Sequence, residues 1–127
     1  THHDWYCYQL ISGTGGKVIY SFEKTLKYRQ HEKNQIGRND RQIDKFKRLK
    51  KFFSGNFRNW TDINIYNLEI NKNLLDTKSL QTLENFRKAR DSKNPLKRIF
   101  FLKRSGVYRQ SKLENLIFII GVLFNKV

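Results

Sequence analysis

The chain has 127 residues, enough for one domain and not two, and its 38% hydrophobic and 14% aromatic content supplies a core and argues against wholesale disorder. Lys and Arg number 26 against 11 Asp and Glu, a net charge of +15 whose self-repulsion ordinary enzymes avoid and a polyanionic partner relieves. The lone Cys7 excludes an intrachain disulfide and a thiolate metal site, and it suits an intracellular, reducing compartment, cytoplasmic or organellar matrix.

In chain order, residues 5–11 alternate aromatic or aliphatic with small or polar side chains and read as a strand. Ser12-Gly13-Thr14-Gly15-Gly16 reads as a turn and 17–20 as a second strand, so the chain is expected to open with a β-hairpin. Neither a helix pattern nor Gly-Lys-Ser/Thr follows the glycines, so they do not form a P-loop. A polar helix is expected over 23–36, broken at Gly37-Arg38-Asn39-Asp40. A second helix follows, with Ile43, Phe46, Leu49 and Phe53 inward, a cationic outer side and Gly55 as its stop. Residues 62–70 read as a strand, with a slip between Ile65 and Leu68, and 77–90 as a helix ending before Pro95.

Residues 96–103 and 107–110 read as strands joined at Arg104-Ser105-Gly106, and 116–124 reads as a buried strand or a short helix, with Gly121 and the run Ile117-Phe118-Ile119-Ile120 favouring the strand. That apolar run is nine residues long, whereas a bilayer span needs about 20, so no membrane role is expected. The expected class is α+β, a small single domain over 1–127 with a C-terminal appendage at 96–127 as an alternative. The chain does not begin with Met, which leaves open a trimmed start and a removed targeting segment.

The excess charge is clustered. Residues 27–58 hold eleven basic and three acidic residues, 87–112 hold ten and one, and the rest of the chain is net −2. Mixed signs are the mark of a solubility surface, and clustering of one sign is the mark of a polyanion footprint. The basic residues expected to meet phosphates are Arg41, Lys45, Arg48, Lys50, Lys51, Arg58, Arg98, Lys103, Arg104 and Arg109. Aromatic residues are interleaved with them. Phe52, Phe53 and Phe57 read as core, while Trp60 and Tyr108, beside turn residues, are the candidates for stacking on unpaired bases.

Tyr6-Cys7-Tyr8-Gln9-Leu10-Ile11, Gly16-Lys17-Val18-Ile19-Tyr20 and Tyr28-Arg29-Gln30-His31-Glu32-Lys33 together resemble the opening of a GIY-YIG nuclease domain, across residues 6–36. The resemblance implies two short strands presenting Tyr8 and Tyr20, a helix supplying Arg29, and Glu84 on a later helix as the ligand of a catalytic Mg²⁺. Phe22 stands where the family closes its second motif with glycine, and aligning His31 with the family's histidine puts Lys27 at the arginine position. Asp62, Glu69 and Lys72 loosely resemble the carboxylate–lysine set of restriction-type nucleases, although strand alternation puts Glu69 and Lys72 on opposite faces. The three histidines have no spaced partners for a metal.

Two functions follow from this reading. The preferred one is a non-catalytic RNA-binding protein without a cofactor, a component of a ribosome or another ribonucleoprotein particle, binding RNA in preference to DNA alongside other proteins. The alternative is a small Mg²⁺-dependent GIY-YIG-like nuclease acting on DNA or RNA.

Overall fold

A computed structural model describes residues 3–23, 26 and 55–127, and every regular element among them is helical. The order is α1 (His3–Gly13), α2 (Asn56–Ile70), a 3-10 turn (Lys72–Leu74), α3 (Thr77–Asp91), α4 (Pro95–Ser105) and α5 (Lys112–Leu123). The expected α+β class is overturned. The two basic helices expected over 23–36 and about 41–53 fall almost wholly outside the described residues.

Each lost strand has a local cause. In 5–11 the more buried positions are Tyr6, Leu10 and then Gly13, spaced four and three apart, which is helical period and not alternation. The glycine run closes α1 instead of turning a hairpin. Thr14 N–H donates to Leu10 O at 2.9 Å and Gly16 N–H to Ile11 O at 2.9 Å, while Gly15 takes φ 79°, open to a residue without Cβ. Residues 17–20 have no regular structure and are exposed, with no partner strand among the described residues.

The slip noted in 62–70 is the signature of a helix. Phe57, Thr61, Ile65 and Leu68 form the inward side of α2, and Asn64 beside them is buried as well. Residues 96–103 lie in α4 because Asn94-Pro95 starts a helix there. The Asn94 side chain accepts from Leu96 N–H at 2.8 Å, Pro95 occupies the first turn, and Gly106 at φ 70° ends the helix. Residues 107–110 are irregular, held where Arg109 N–H donates to Asn115 Oδ1 at 2.9 Å. The last strand is α5. Its β-branched run misleads, but Ser111 caps it at Glu114 N–H in a Ser-x-x-Glu arrangement, and Phe118, Gly121 and Val122 are buried at helical spacing. The helix expected over 77–90 is present as α3, capped by Asp76, whose side chain accepts from Ser79 N–H at 2.7 Å.

α3 and α4 pack along one another across the short 92–94 connection, and α5 lies against α4. The core is Ala89, Leu102, Phe118, Val122 and Val127, flanked by Phe57, Phe86, Phe101, Val107 and Ile119. Phe86 and Phe118 stack at 6.2 Å between centroids. Residues 96–127 thus supply four of the five core members. α1 docks on the corner between α2 and α3, where Asn71 Nδ2 donates to Tyr6 Oη at 2.8 Å and Asp76 N–H to Gly13 O at 2.8 Å.

Arg90 fastens α3 to its surroundings. It is only 5% exposed, pairs with Asp62 Oδ1 at 2.7 Å, and donates to Val127 O at 2.8 Å and Arg58 O at 3.3 Å. Arg90→Met removes the donors and leaves these oxygens facing an apolar chain. It should lower the unfolding free energy in urea by about 2–4 kcal/mol.

The Ser79 backbone N–H, then its hydroxyl, hold the Asp76 carboxyl below its ordinary 3.8. A lowered folded-state pKa gives stability that is present above the unfolded value and lost as pH falls through the folded one. The acid limb of unfolding should therefore steepen below about pH 4, and Asp76→Asn, which keeps the cap and loses the charge, should flatten it.

Candidate nucleic-acid interface

A surface that binds phosphates needs cations free of internal partners, and the described arginines divide sharply on that test. Arg58 donates to Asn125 O at 3.0 Å and to the Asn125 side-chain oxygen, and lies 4.0 Å from Asp62. Arg98 donates to Ser92 O at 2.7 Å and Leu123 O at 2.6 Å, thereby satisfying carbonyls at the C-terminal ends of α3 and α5. The Arg109 guanidinium lies over the rings of Phe57 (5.2 Å) and Phe118 (5.9 Å), a cation–π seat at the core's edge. These three, expected to meet phosphates, are instead occupied inside the protein. Arg87 pairs with Glu69 and, at 3.4 Å, with Asp91. The hydrogen bond that Arg87 donates to Glu69, then the Glu69 charge, raises the guanidinium pKa above its ordinary value.

Among the described cations without an ion-pair partner, three lie together on α4. The helix carries Lys97, Arg98, Lys103 and Arg104 and no acid, so it lacks the i,i+4 ion pairs that usually lace an exposed helix. At 100° per residue, positions 96, 97, 100, 103 and 104 fall within one third of its circumference. All five are exposed, Leu96 at 79% and Phe100 at 56%. Lys97, Lys103 and Arg104 have no ion-pair partner among the described residues. Lys103 and Arg104 were expected at the interface. Lys97, Leu96 and Phe100 were missed, and Asn94-Pro95, read as the start of a helix instead of the end of one, would have placed all five together.

Of the expected stacking residues, Tyr108 is 74% exposed just beyond α4, whereas Trp60 is half-buried on α2 and has a partner of its own. Arg29, Arg41, Lys45, Arg48, Lys50 and Lys51 lie outside the described residues.

The residues named for a nuclease do not sit as the resemblance implies. Tyr8 is exposed on a helix, and Tyr20 is exposed on an irregular segment with its ring edge-on to Phe22 at 5.0 Å, so no paired strands present them. Glu84 is exposed on α3 beside an open groove of roughly 680 Å³ that Glu69, Arg87 and Phe101 also line. Asp62 and Glu69, the carboxylates of the restriction-type set, are each engaged by arginines. Among the described residues no group of three His, Cys, Asp or Glu is arranged to hold a metal ion, and no helix is long and apolar enough to cross a membrane. No known protein family, curated protein or solved structure matches this chain.

The two sets of cations should respond differently to neutralisation. Arg109→Gln, which empties the seat over Phe57 and Phe118, should cost about 1 kcal/mol of stability in urea unfolding. Lys103→Gln should leave stability within about 0.5 kcal/mol of the parent.

Proposed function

We propose that this chain is a non-catalytic RNA-binding protein, a component of a ribonucleoprotein particle, that holds its partner chiefly by phosphate contacts. One observation carries the reading. In a chain of net charge +15, the arginines engaged inside the fold account for only part of the excess, and Lys97, Lys103 and Arg104 stand exposed on one acid-free helix face. Unrelieved like charge on one face costs stability, and condensed phosphate neutralises it while releasing counterions to solution. Contacts of that kind set affinity and position and carry little sequence information. The basic segment 27–58 belongs to the same reading as a second source of phosphate contacts, through Arg41, Lys45, Arg48, Lys50 and Lys51.

Binding of the full chain to labelled RNA across a salt series tests this. Affinity should fall linearly in a log–log plot, and Lys97→Gln/Lys103→Gln/Arg104→Gln should make the slope shallower by about 2 to 3. A slope unchanged in the triple variant would remove α4 from the interface. The probe should remain full length when Mg²⁺ is added, whereas Mg²⁺-dependent shortening that Glu84→Gln abolishes would replace the binding role with the nuclease alternative.

A further inference from the structure

Phe100 occupies an unusual position on the outer face of α4. On an α-helix the residues three and four away are the lateral neighbours, about 5–6 Å apart at Cβ. For Phe100 those on the outer face are Leu96, Lys97, Lys103 and Arg104, so a ring 56% exposed to water is bordered by three cations and one leucine. Its remaining i+1 neighbour, Phe101, is half-buried and meets it edge-on, 5.3 Å between centroids at 75°. That contact sets the exposed ring against a half-buried one.

A cationic face that only tracked a duplex would need no such ring, because paired bases are stacked on each other and present phosphates outward. An anionic lipid surface would need a broader aliphatic stripe than Leu96 and Phe100 provide between their cations. Single strands combine the two features that match this face: phosphates at its edges and bases whose faces are free to stack at its centre.

We propose that the outer face of α4 binds unpaired nucleotides of single-stranded RNA. Phe100 stacks on one base, Leu96 covers that base's neighbour, and Lys97, Lys103 and Arg104 hold the adjoining phosphates. The proposal rests on the RNA-binding reading and narrows it to a strand type and to one aromatic contact.

The test compares the full-length parent, Phe100→Leu and Phe100→Tyr for binding to labelled oligouridine, to an RNA duplex and to phosphatidylserine vesicles. Leucine keeps apolar area and helix propensity but has no π-face, and tyrosine keeps the π-face; circular dichroism establishes that each variant is folded. Phe100→Leu should weaken oligouridine binding roughly 5- to 100-fold, Phe100→Tyr should restore most of it, and duplex affinity should be the same in all three. Equal oligouridine affinity in the parent and Phe100→Leu, or an equal loss on duplex, would overturn the stacking site while leaving phosphate binding intact. Vesicles bound more tightly than oligouridine, with Phe100→Leu unaffected, would overturn it in favour of a lipid surface. Loss of all RNA binding by the parent would overturn this proposal and the broader reading together.

Discussion

The described fold depends on a buried arginine. Arg90 is 5% exposed in a chain already carrying +15, a placement that desolvation opposes unless every donor is met. Asp62, Arg58 O and Val127 O give each of its three nitrogens a partner, and in doing so they join α3 to α2 and to the segment after α5. Arg98 works in the same manner, with one guanidinium satisfying a carbonyl beyond α3 and another in the last turn of α5, where the helix dipoles present partial negative charge. The small apolar core, from Ala89 to Val127, lies within this frame. Guanidinium, planar and many-donored, suits the task better than ammonium, which is consistent with five of the six described arginines being engaged by the fold while Lys97, Lys103 and the sixth arginine, Arg104, stay outside.

That division gives the net charge a structural meaning. A bare count treats all 26 basic residues alike, but Arg58, Arg87, Arg90, Arg98 and Arg109 each have internal oxygens or rings to answer. Subtracting them leaves Lys97, Lys103 and Arg104 of α4 together on one face with no acid among them. The aromatic residues divide similarly. Phe57, Phe86, Phe101 and Phe118 belong to or flank the core, and Phe100, one residue from Phe101, faces water.

The helix over 77–90 was legible because Leu80, Leu83 and Phe86 repeat at helical spacing and Asp76 precedes them as a cap. The other described helices carry Ile, Val, Phe and Tyr, whose strand propensity points away from helix, whereas their caps and helical spacing point to it. In 116–124 propensity pointed to strand, whereas the cap Ser111-x-x-Glu114 just upstream pointed to helix. In 62–70 the slip at Leu68 carried the right answer, and alternation was imposed over it. The candidate site could be drawn only as two basic segments, since charge clustering needs no fold. It was not legible at the level of residues. Whether Arg98 or its neighbour Lys97 faces out is a question of helix phase, and a strand reading of 96–103 gave the wrong phase.

Under the proposed function, the cations that internal contacts leave over meet the partner, so the central claim concerns which cations those are. Acetylation of individual lysines, read by mass spectrometry with and without saturating RNA, measures that directly. Lys97 and Lys103 should react readily in the free chain and become protected when RNA is bound. If both react as fast under saturating RNA as without it, the outer face of α4 is not where this protein meets its partner.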